Sequence, residues 1–118
     1  MLKLELEKKL KYGDIFTIYI IYKYFQYREY IGKPTEGFSY YYLERYYVKH
    51  RNKIVPRHLE LLHWHSIERK IRRLCSEVKP PLLIRLGNGY FKPTRYFWKY
   101  VEERINSLGS FWPRKTVY

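Results

Sequence analysis

Residues 63–74 read HWHSIERKIRRL, and four cations, Arg69, Lys70, Arg72 and Arg73, fall within five residues of that stretch. Guanidinium groups bond two acceptors at once, which suits phosphate oxygens and the O6/N7 edge of guanine. At about 100° per residue around a helix, Ile71, Leu74 and Val78 lie within roughly 40° of Ile67, whereas Arg69, Arg72, Arg73 and Ser76 fall on the opposite half with His65 near them. The segment therefore predicts a helix with one face sunk in a core and the other offering cations. On such a helix Arg69 and His65 are the candidate readers of base edges, Arg72 and Arg73 grip phosphates or extend the readout, and Lys70 adds charge. Ser66 is expected either to donate to a phosphate or to serve the helix start.

Other chemistries find less support. His58, His63 and His65 are close in sequence, but a helix and a turn are expected among them and no cysteine is nearby, so a metal site is not favoured. Cys75 is the only cysteine, which rules out an intrachain disulfide and cysteine-based zinc ligation, and it reads as a small buried hydrophobe in a reducing compartment. One aspartate, Asp14, stands among the eleven acids, and neither a carboxylate pair, a Gly-rich phosphate loop nor a nucleophile elbow is present. The chain is thus expected not to be an enzyme and to need no cofactor. Glu68 reads as an ion-pair partner for Arg72 at i+4.

The elements that must hold this helix follow from periodicity and punctuation. MLKLELEKKLKYGD fits a helix or a strand, with helix preferred, and Asp14 would cap the next helix, IFTIYIIYKYFQYREYIG, which ends at Gly32. The β-branched and aromatic content of that run leaves a strand open. GKPTEG is a connector. FSYYYLERYYVKHRNK sets Tyr40, Leu43, Tyr47 and Tyr46 on one side of a helix with Ser39 as cap, and PRHLELL predicts a short second helix opened by Pro56. Lys53 and Arg57, near its positive end, are candidate backbone contacts. After VKPP, LLIRLGNGYFK predicts a hairpin with Gly87, Asn88 and Gly89 at its tip, where Arg85, Asn88 and Lys92 are candidate contacts. TRYFWKYVEERINSLG predicts a last helix stopped by Gly109.

A length of 118 residues suits one domain. The formal charge of +13 makes polyanions the expected partners, with nucleic acid foremost. No apolar run approaches a membrane span, and the first residues lack the apolar core of a signal peptide, a pattern expected of an intracellular chain in the cytoplasm, or in a host's cytoplasm if viral.

The order helix, helix, basic helix, hairpin, helix resembles the winged helix-turn-helix family over roughly residues 38–108. That resemblance implies a mainly α domain with a small β-hairpin, an added N-terminal helical section at 1–37 and a tail at 109–118. It implies that LERYYVKHRNKIV is the first helix and its turn, PRHLELL the second, residues 64–78 the helix entering the major groove, and residues 82–92 the wing. Small winged-helix regulators of archaeal viruses and plasmids are similar in size and in tyrosine and lysine richness. The expected function is sequence-specific binding of double-stranded DNA in transcription regulation. The surplus apolar surface of IFTIYIIYKYF is expected to form a homodimer interface matching a palindromic site. The alternative is a structural or interaction module whose basic, tyrosine-rich surface holds RNA or an acidic protein, because tyrosine rings also stack on unpaired bases.

Overall fold

The computed structural model describes residues 10–112; the helix-or-strand reading of MLKLELEKK lies outside them. Among the described residues, four helices and three short strands follow in the order α1 (Tyr12–Tyr30), β1 (Phe38–Ser39), α2 (Tyr40–Ile54), α3 (Trp64–Ser76), β2 (Leu83–Gly87), β3 (Tyr90–Pro93) and α4 (Arg95–Leu108). The molecule is a mainly α domain with a small antiparallel β-hairpin and a helix N-terminal to the helix pair, as expected.

α1 is apolar on almost every side, the pattern of a helix enclosed by others. Phe16, Ile18, Ile20 and Ile21 are fully buried, with Tyr19, Tyr24 and Phe25 nearly so, and the helix packs against α2, α3 and α4. The apolar run expected to face a second copy is therefore spent inside this chain's own core. Phe111 and Trp112, beyond α4, close the same core, with rings 5.0 and 5.2 Å from that of Tyr19. Asp14 is not the N-cap. Lys11 holds that position, and Asp14, one turn in, accepts the Lys11 backbone N–H at 2.9 Å. The helix gives way at Gly32, whose φ of 72° is cheap without a Cβ.

α2 begins as its sequence predicts, with the Ser39 hydroxyl accepting from the Tyr42 N–H at 3.2 Å and Leu43, Tyr46 and Tyr47 turned inward. Phe38 and Ser39 also form the strand β1. The sheet order is β1-β3-β2, Phe38 pairing with Phe91 and Arg85 with Phe91 from the other side. Gly37 admits this edge strand, because a Cβ there would stand 2.7 Å from the Phe91 carbonyl oxygen. In the wing turn Gly89 takes φ 69°, and a register shift between Arg85 and Gly87 marks a bulge. α4 is capped by the Thr94 hydroxyl and ends at Gly109 with φ 76°.

The expected second helix at PRHLELL does not form. Residues 55–63 cross from α2 to α3 as turns and extended chain. Their carbonyls are taken by tyrosines instead of helical amides. Tyr47 donates to the Leu62 oxygen at 2.5 Å and Tyr12 to the Glu60 oxygen at 2.6 Å, while Tyr19 donates to that of Ile54 where α2 ends. A carbonyl already bonded by a distant hydroxyl gains little from coiling, so the tertiary partners win over local propensity. Tyr47→Phe keeps the ring and removes the donor, leaving the Leu62 carbonyl unmatched. Urea unfolding should show a loss of about 1–2 kcal/mol. An unchanged midpoint would mean that this bond contributes nothing to holding the crossing segment.

Candidate functional site

α3 carries the amphipathic split that its sequence predicts. Ile67, Ile71 and Leu74 are fully buried and Val78 nearly so, while His65, Arg69 and Arg72 are exposed on the other side. The His65 ring lies parallel to that of His63, with centroids 5.6 Å apart. His63, not Ser66, occupies the N-cap position, so the helix-start role open to Ser66 is not the one it has. Ser66 instead lines a shallow cleft with Arg69, Lys70, Arg73 and Glu77. Lys70 lies along α1, its chain so close to Gly13 that a Cβ there would stand 2.8 Å from Cε. It is half-buried, not splayed outward.

Arg73 departs furthest from expectation. Its Nε donates to both oxygens of the buried Asp14, at 3.1 and 3.2 Å, and Nη1 donates to Glu77 at 3.2 Å. The bonds to Asp14 raise its guanidinium pKa further above an already high value. This arginine clamps α3 to the first turn of α1, so its Nε and Nη1 are engaged within the chain while part of the side chain stays exposed. The i+4 ion pair present on α3 is Arg73 with Glu77, one turn beyond the Glu68–Arg72 pair anticipated from spacing.

The wing brings a further cation to α3. Arg85 pairs across the hairpin with Phe91 and lies exposed, with its Nε 3.2 Å from the Gly87 carbonyl oxygen. The Phe91 ring is 4.8 Å from that of Tyr40, which meets Trp64 of α3 edge-on at 6.5 Å. Burial raises the Tyr40 phenol pKa; Arg72 opposes this most strongly, Glu68 and Cys75 add to the rise, and Arg85 opposes it last. Arg85 also acts against the burial that pushes the Cys75 thiol up. α3 packs against β2, so exposed cations of the helix and of the hairpin belong to adjoining elements, with the Glu68 carboxylate among them. The Tyr40 hydroxyl is enclosed and has no hydrogen-bond partner among the described residues. Sequence reasoning passed over Tyr40 except as core, since only the folded chain sets its ring against Phe91 and Trp64.

Comparison with known protein families, with curated proteins and with solved structures finds no match for this chain.

Asn88 and Lys92 are exposed on the hairpin, so Arg85, Asn88 and Lys92 do share one element. Lys53 and Arg57 are exposed as well, but the reason given for them fails. Lys53 sits in the last turn of α2, where the helix dipole is negative, and Arg57 lies in the non-helical crossing. Among the described residues, no group of three or more His, Cys, Asp or Glu is placed to hold a metal ion, and no helix is long and apolar enough to cross a membrane.

Proposed function

We propose that this protein is a non-enzymatic binding module of winged-helix type that holds a polyanionic macromolecule. The observation that carries the reading is the two-faced α3, which buries its aliphatic stripe and leaves Arg69 and Arg72 exposed, beside a hairpin on which Arg85 and Lys92 are exposed. A helix and a hairpin offering cations side by side suit a groove and its flanking backbone. With a net charge of +13, the chain also draws such a partner from a distance.

In the first form of this reading the polyanion is double-stranded DNA, bound by a homodimeric transcription regulator of the winged helix-turn-helix family. Arg69 and His65 read base edges, while Arg72, Arg85 and Lys92 hold phosphates. Arg69→Ala should then cost about 1–3 kcal/mol on a selected duplex and little on a random one, whereas Arg85→Ala should weaken both alike. Anisotropy titrations against the two duplexes measure this, and equal losses from both variants on both duplexes would remove the readout role.

A second form is favoured by α2, where Tyr41, Tyr42, Arg45 and Lys49 stand exposed together. Here the polyanion is RNA or an acidic protein held on the basic, tyrosine-rich surface. Competition separates the forms, since RNA displaces duplex DNA only if the second holds.

A further inference from the structure

We propose that the groove between the C-terminal half of α1 and the outer flank of α2 binds an unpaired nucleic-acid strand by stacking its bases on tyrosine. The inference rests on the second form above, that the tyrosine-rich surface holds a polyanion, and names the partner and the place.

The groove encloses about 210 Å³ and is lined by Tyr24, Tyr27 and Arg28 of α1 and by Tyr42, Arg45 and Lys49 of α2, with the rings of Tyr46 and His50 at its floor. No carboxylate lines it. It is not the α3 face: Tyr40 meets Trp64 of α3, and Tyr42, two residues and about 200° further round α2, points to the opposite flank. Tyr42 is 58 % exposed and Tyr27 38 %, so both keep ring surface turned to solvent although the core has ample tyrosine. Inside the groove Tyr27 lies 5.2 Å from Tyr46 and 5.4 Å from His50, which fixes its ring without covering its outer side. The field in the groove is positive. Besides burial, the charges of Lys49 and Lys53 lower the pKa of the His50 imidazole.

Cations on both walls and rings between them are what a single strand needs, since its phosphates track the charges while its bases cover the ring faces. A duplex offers base edges, not faces. An acidic peptide would satisfy Arg45 and Lys49 but leave the exposed tyrosine faces in water. The commitment is therefore to a single strand, DNA or RNA, with little sequence preference.

The test uses the full chain and a labelled oligothymidylate, read by anisotropy. Tyr42 and Lys49 are exposed, so replacing their side chains spares the core. Tyr42→Leu should weaken binding about tenfold, the loss of one stacked base. Lys49→Gln should flatten the slope of log affinity against log salt by about 0.7, the loss of one phosphate contact on a single strand. If Lys49→Gln weakens the complex while Tyr42→Leu does not, a polyanion sits there without stacking, and the inference falls while the second form survives. Displacement of the strand by polyglutamate of equal charge would also overturn it in favour of an acidic protein. Failure of the parent chain to bind the strand would remove the inference and leave only the acidic protein of the second form, whereas indifference to both variants would remove the inference alone.

Discussion

Arg73→Ala should lower the unfolding free energy by about 3 kcal/mol, more than the loss of any exposed arginine on the same helix. The reason lies in what the substitution leaves behind. Asp14 has no exposed surface, and without Arg73 its carboxylate keeps the Lys11 amide at 2.9 Å, too little to replace hydration. Arg73 itself keeps 27 % side-chain exposure, which places the expected cost at the low end for a broken buried pair. The bridge to Glu77, a residue 62 % exposed, adds little. Thermal unfolding should show the midpoint falling by about 10 °C. Asp14→Asn should cost less than Arg73→Ala, because an amide without its partner is cheaper to bury than a charge. Placing Arg73→Ala on the Asp14→Asn background should then add little, the mark of a coupled pair. If instead the two losses simply add, the clamp between α1 and α3 has no such role. Duplex affinity of the folded Arg73→Ala protein offers an independent check, since a guanidinium held by Asp14 contributes less to it than Arg69.

Alkali should unfold the protein through its tyrosines. Burial raises the Tyr46 and Tyr47 phenols from 10.0 to about 12, while the same groups in the unfolded chain ionise at the ordinary value. Because the folded pKa is the higher one, the full stability is present below pH 10 and is lost as pH climbs from 10 to 12, where the unfolded chain sheds protons that the folded chain must keep. Two units per group correspond to a little under about 3 kcal/mol each, so the pair removes about 5 kcal/mol, comparable with the whole stability of a small domain. Tyr12, Tyr19, Tyr24 and Tyr40 are raised in the same direction, chiefly by burial, and steepen the loss. Tyrosinate absorbance and helical circular dichroism should change together in one cooperative step within that window. Tyr46→Phe should move the step to higher pH. Gradual ionisation near pH 10 with the helices intact would contradict the burial argument.

Much of the scaffold is legible in local pattern. The stripe Ile67, Ile71, Leu74 and Val78 predicts α3, and the same residues are buried with Arg69 and Arg72 left outside. Ser39, Thr94, Gly89 and Gly109 mark ends and turns because each acts within a few residues of itself. What fails is whatever depends on a partner far along the chain. The short helix at PRHLELL gives way to carbonyl bonds from Tyr12 and Tyr47, and Arg73 is drawn from the outer face by an aspartate 59 residues away. α1 reads as a surface for another copy because an apolar helix has the same sequence whether its own chain or a second one covers it.

The amino-acid sequence by itself determined that this protein would be basic, mainly helical, hairpin-bearing and equipped with one strongly two-faced helix, since composition, period and caps act over a turn or two. Only the tertiary structure decided which cations remain outward and which are clamped, that α1 fills the centre, and that the hairpin lies against α3. Those outcomes depend on distances between residues remote in the chain, which packing sets and no local spacing encodes.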